Sequence, residues 1–98
     1  MKEDAKALTV QKVSAVLRKA GFAHSKSYST SVRGWRSYTE GFRARNGFEG
    51  PVLVAHKTDL YGDGRFERID AELAKYAATL KAAGLHVYEE NRQLVVSR

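Results

Sequence analysis

Between Arg33 and Arg45 the chain sets four arginines (Arg33, Arg36, Arg43, Arg45) among three aromatic residues (Trp35, Tyr38, Phe42). Guanidinium groups pair bidentately with phosphates and carboxylates, and aromatic rings on a sheet stack nucleobases. Read as one extended strand over 32–45, alternation puts Trp35, Ser37, Thr39, Gly41 and Arg43 on one face. Arg36, Tyr38, Glu40, Phe42 and Ala44 take the other. The set therefore meets a single ligand only if a bulge intervenes, for which Gly34 and Gly41 provide places. A competing expectation is that Trp35, or Tyr38 with Phe42, packs under helices while the arginines protect an exposed strand. Arg33, Trp35, Arg36, Tyr38, Arg43 and Arg45 are the candidate contact residues for nucleic acid or another partner.

Other chemistry-bearing residues form no comparable constellation. His24, His56 and His86 are far apart in sequence. His56 and His86 fall in predicted strands and are expected to be able to approach each other across a sheet, but zinc needs a third or fourth ligand. Gly62-Asp63-Gly64 suits a turn and a helix cap better than a phosphate loop. Asp59 and Asp63 do not have the ligand spacing of a calcium loop. No serine sits in a nucleophile-elbow context. An enzyme reading would need His56 or His86 in a pocket with a carboxylate and a positioned nucleophile. The expectation is a non-enzymatic protein without cofactor or metal.

Charge supports the same region. The 98 residues carry a formal net charge of +6. Residues 1–50 hold ten Lys/Arg against four Asp/Glu, and residues 51–98 hold seven of each, so the whole excess lies in the first half. That asymmetry favours a polyanion or an acidic protein surface. No apolar run approaches the roughly 18 residues of a membrane span. Met1–Lys6 lacks the apolar stretch of a signal peptide, and there are no cysteines. Both point to a cytoplasmic protein without membrane contact.

The elements that must position these residues read as a repeat. Leu17-Arg18-Lys19-Ala20-Gly21-Phe22 and Leu80-Lys81-Ala82-Ala83-Gly84-Leu85 share an apolar residue, a basic last turn, a glycine and an apolar residue after it. This pattern suits a Schellman stop at the end of each of two helices. Residues 1–8 are expected to fray. Thr9 caps a first helix with the stripe Val10, Val13, Val16, Leu17, Ala20. A Ser-rich link over 23–31 follows, then the Arg/aromatic strand, a turn at Asn46-Gly47 and the strand Val52–His56. Asp63, or a residue shortly after it, caps a second helix with the stripe Ile69, Leu73, Tyr76, Ala77, Leu80. A hairpin closes the chain around Glu90-Asn91-Arg92-Gln93.

The expected fold is a single α+β domain of two layers, α-β-β-α-β-β. A roughly four-stranded antiparallel sheet would carry both helices on one face, with pseudo-twofold symmetry. The alternative is a domain-swapped or intertwined homodimer, because one αββ unit is too small to bury its own face.

Several short stretches carry a resemblance: Lys19-Ala20-Gly21-Phe22, Arg33-Gly34-Trp35-Arg36, Thr39-Glu40-Gly41-Phe42, Val52-Leu53-Val54-Ala55-His56 and Leu80–Leu85. In these the chain resembles a group of small uncharacterised proteins encoded by actinobacteria and their phages. The likeness implies an actinobacterial or phage origin and carries no catalytic residues. By analogy it implies a protein that binds a host component, acting in the host cytoplasm. The leading expectation is thus a small binding module that contacts nucleic acid or an acidic host protein through its basic first hairpin. The alternative is a protein-interaction, host-inhibitory or self-assembling module that binds no nucleic acid.

Overall fold

The computed structural model describes residues 8–29, 36–47, 50–58 and 62–98, with backbone alone at 27–29 and 36–38. Arg33, Gly34, Trp35 and most of the segment expected to fray lie outside these residues. Leu8, counted with that segment, is half-buried against the core. The elements in chain order are α1 (Val10–Lys19), β1 (Ser27–Ser29), β2 (Arg36–Tyr38), β3 (Gly41–Asn46), β4 (Val52–Lys57), α2 (Arg65–Ala82), β5 (His86–Glu90) and β6 (Gln93–Ser97). No helix among the described residues is long and apolar enough to cross a membrane.

Both helices stop as their sequences require. Gly21 and Gly84 have φ of 98° and 91°, a region that only glycine enters cheaply. Phe22 N–H donates to the Leu17 carbonyl and Gly21 N–H to that of Arg18, at 3.1 and 2.9 Å. Leu85 and Gly84 repeat the pair on Leu80 and Lys81 at the same distances. These are the two hydrogen bonds of a Schellman motif. At the other end of α1, Lys12 N–H donates to Thr9 Oγ1 at 3.1 Å, which satisfies one orphan donor. α2 starts instead at Gly64, one residue after Asp63, with no side-chain cap.

The main sheet has strand order β3-β4-β6-β5, antiparallel throughout. In each αββ unit the second strand is central and the first lies at an edge, which is the arrangement a pseudo-twofold between β4 and β6 produces. Alternation sends Phe42, Val52, Val54, Leu94 and Val96 toward the helices, where they meet Val13 and Leu17 of α1 and Ile69, Leu73, Tyr76 and Leu80 of α2. All of these are buried, so the core is one contiguous layer between sheet and helices. Burying such side chains is worth roughly 1.5–3 kcal/mol each before conformational entropy is counted. The opposite face of the sheet has no layer over it among the described elements.

The two units differ between helix and first strand. In the second unit only 83–85 separate α2 from β5. In the first, the chain after Gly21 runs beside β3 and then makes an extra antiparallel pair, β1–β2, in a separate two-stranded sheet. The expected single strand over 32–45 is therefore two strands in two sheets, broken at Thr39-Glu40. The cause is non-local pairing. Phe42 N–H donates to the Ala23 carbonyl and Ser25 N–H to that of Phe42, at 3.0 and 2.8 Å, so 23–25 occupies the outer edge of β3. Thr39 closes the base of the extra hairpin. Its N–H donates to the Lys26 carbonyl at 2.9 Å, and its Oγ1 accepts from Lys26 N–H at 2.8 Å.

Candidate functional site

The sheet face turned away from the helices, over which no described element packs, gathers three cations, Arg43, Arg45 and Lys57. Phe42 and His56 are a directly opposed pair facing the core, so the next pair along, Arg43 and Ala55, faces outward. By the same alternation Arg45 opposes Leu53, and Lys57 follows Ala55 on the outer face. Arg43, Arg45, Ala55, Lys57 and Gln93 line a shallow cavity of about 270 Å³ on the outer face, with Ala44 between the two arginines. That is below the roughly 300–1,000 Å³ of small-molecule pockets, and it suits a small anionic group better than an enclosed cofactor. Arg45 donates to Gln93 Oε1 at 3.3 Å across the intervening strand, which holds its guanidinium over the face.

The register extends this face across the sheet. Arg45 pairs with Leu53, Leu53 with Val95, and Val95 with Tyr88. Directly paired residues share a face, so the row Arg45–Leu53–Val95–Tyr88 spans all four strands. Leu53 and Val95 are half-buried, whereas Tyr88 is 61% exposed. A parallel row holds Arg43 and Ala55 on one side and Gln93 and Glu90 on the other. The face thus has a basic edge at β3–β4, an apolar middle and an exposed aromatic at β5. Beside β3, burial first, then the charges of Arg18, Arg43 and Lys26, hold the His24 imidazole below its ordinary pKa.

On the other side of the sheet lies a buried polar chain. His56 Nδ1 is 2.6 Å from the Tyr76 hydroxyl and Nε2 is 3.0 Å from Glu40 Oε2, which also accepts from Arg68 at 2.7 Å. An ionised carboxylate only accepts, so Nε2 carries a proton, and in neutral imidazole Nδ1 accepts from Tyr76. The His56 hydrogen bond holds the Glu40 carboxyl below its ordinary pKa; partial burial opposes this and Arg68 assists it. Burial, reinforced by Glu72 and Glu40, pushes the Tyr76 phenol well above its ordinary value. A hydroxyl, an imidazole and a carboxylate are in line, but Tyr76 and His56 are 1% and 6% exposed and the phenol stays protonated at neutral pH. The chain is a brace between α2, β4 and the residue that precedes β3. Each buried polar atom in it has a partner.

Of the six residues singled out from sequence, two share the outer face, two belong to the other sheet and two lie outside the described residues. Arg43 and Arg45 come together on the outer face with Lys57. Arg36 and Tyr38 belong to β2, in the other sheet. Arg33 and Trp35 lie outside the described residues. Phe42 is wholly buried, with its ring edge-on to His24 at 5.0 Å and to Tyr76 at 6.0 Å. The expectation that His56 and His86 approach each other is corrected: His56 faces the core, while exposed His86, paired with Ser97, lies on the outer face. Among the described residues no three His, Cys, Asp or Glu side chains cluster as metal ligands would. Lys57, Gln93 and Tyr88 were missed, although alternation from buried Val52 and Val54 already points Lys57 outward. No family model, curated protein or solved structure matches the chain.

Proposed function

We propose that this chain is a small non-enzymatic binding module that holds a polyanion, a nucleic acid, on the outer face of its four-stranded sheet. The observation that carries the reading is the convergence of Arg43, Arg45 and Lys57 on one uncovered concavity. The charge asymmetry agrees with it, because both arginines belong to the half with all the net positive charge. The sequence resemblance to small actinobacterial and phage proteins implies a host macromolecule as the target.

Mobility-shift titrations with single-stranded and duplex DNA and RNA at two salt concentrations test this. Three phosphate contacts predict a log–log salt slope of about −2 to −3. Replacing Arg43, Arg45 and Lys57 together with alanine is expected to remove the salt-dependent binding without unfolding the protein. Binding that never forms, or that is indifferent to salt, contradicts the proposal.

One observation favours a second reading, self-association. A twofold axis along the strands, between β4 and β6, would lay Arg45 over Tyr88 of a second copy and Arg43 over Glu90. That is the self-complementarity an isologous interface needs. Sedimentation separates the readings: a dimer abolished by Glu90→Arg would favour this one.

A further inference from the structure

We infer that the nucleic acid taken by this face is single-stranded and lies across the four strands, its backbone over Arg43, Arg45 and Lys57 and a base stacked on Tyr88. The inference rests on the polyanion reading and adds the ligand's form and direction. A purely electrostatic patch would need only the cations, and the row that begins at Arg45 does not end there. It continues through Leu53 and Val95 to Tyr88, the most exposed of the described large hydrophobic residues. Four strands spaced about 4.8 Å apart put roughly 14 Å between the first and last Cα of that row. Sheets of this width accommodate two or three unpaired bases elsewhere.

Chemistry distinguishes the strand forms. A duplex presents phosphates on its outside and keeps its base faces stacked inside, so it can use the arginines but offers no ring to Tyr88. An unpaired strand offers both, and its bases also cover the apolar middle of the face. Stacking on an aromatic side chain tolerates any base, so the expected preference is for strand form rather than for sequence. Tyr88 has the freedom to serve, because it lies outside the core and none of the ring contacts or hydrogen bonds described above uses it. Its neighbour in sequence, Val87, packs against the core and anchors the strand beneath it.

Fluorescence anisotropy with a labelled oligothymidylate and a labelled duplex of equal length tests this, using the wild-type chain, Tyr88→Ala and Tyr88→Phe. The single strand is expected to bind more tightly than the duplex. Tyr88→Ala should weaken single-strand binding by roughly 5- to 100-fold and leave duplex binding unchanged. Tyr88→Phe, which keeps the ring, should bind like wild type. Arg45→Ala should weaken both ligands and reduce the single-strand salt slope by about 0.7. Equal affinity for the two ligands, with Tyr88→Ala indistinguishable from wild type, overturns this inference and leaves the polyanion reading standing. Failure of both ligands to bind overturns both. A dimer that Tyr88→Ala dissociates, with no binding to either oligonucleotide, also overturns both and assigns the face to a second copy.

Discussion

Gly41→Ala is expected to destabilise the protein by at least about 2 kcal/mol, a large loss for the addition of one methyl group to a buried glycine. A Cβ at this position would collide with the Ala23 carbonyl oxygen and lie 2.7 Å from Ser25 N and 2.9 Å from the Ala23 carbonyl carbon. These atoms are backbone and cannot swing aside like a side-chain tip. They also belong to the segment whose hydrogen bonds with Phe42 cover the outer edge of β3. The methyl group is accommodated only if 23–25 lifts away, which breaks that pairing and exposes an unpaired strand edge. Urea unfolding gives the loss, and amide exchange at Ser25 and Phe42 should rise more than at Val54. A loss below about 0.5 kcal/mol would show that the close approach is not a constraint.

Tyr76→Phe is expected to cost about 1–3 kcal/mol, although it removes one oxygen and preserves the ring. The His56 Nδ1 that the hydroxyl satisfies would remain buried without a partner. The ring packing that survives is edge-to-face, on Phe22 at 4.9 Å and on Phe42. Replacing both partners, Tyr76→Phe with His56→Leu, should cost less than the sum of the single changes, because the orphaned nitrogen is removed with its donor. Additive losses in that cycle would contradict the hydrogen bond.

The same chain of contacts gives a pH dependence. Glu40 has a lowered folded-state pKa, so its contribution is present above its ordinary value of 4.5 and is lost as pH falls through the lower folded value. Glu40→Gln should therefore flatten the fall in stability below about pH 4.5 relative to wild type. The effect is small, since the Glu40 side chain is 35% exposed and partly screened by solvent. Denaturant midpoints collected across that range for the two proteins check it, and parallel curves would refute it.

Local signals carried most of the architecture. The two glycine stops, the Thr9 cap and the strict alternation of Val52, Val54 and His56 each follow from a few neighbouring residues, and they place helices and central strands correctly. The closing turn was legible in the same way. Asn91 and Arg92 both have positive φ, 53° and 56°, the type I′ geometry that a two-residue hairpin requires. Alternation also placed Arg43 opposite to Phe42 across the strand. The break at Thr39-Glu40 was legible only in part: Gly41 marks a place for a bend or bulge, but nothing local says that the strand divides between two sheets. What divides it is pairing with Lys26 and with 23–25, partners that only the folded chain brings near. The link from Tyr76 through His56 to Glu40 is hidden for the same reason: its members are 20 and 16 residues apart on different elements. Tyr88 reads in sequence as one more residue of a closing hairpin. Its alignment with Arg45 depends on three successive strand registers.

The most direct test of the central claim is where on the molecule a nucleic acid binds. Backbone amide shifts followed during titration with a short single-stranded oligonucleotide should move along β3 and β4 near Arg43, Arg45 and Lys57, and along β5 and β6 near Tyr88 and Gln93. Amides of α1 and α2 should stay in place. Shifts confined to the helices or to β1–β2, or no shifts at all, would contradict the assignment of the outer sheet face as the binding surface.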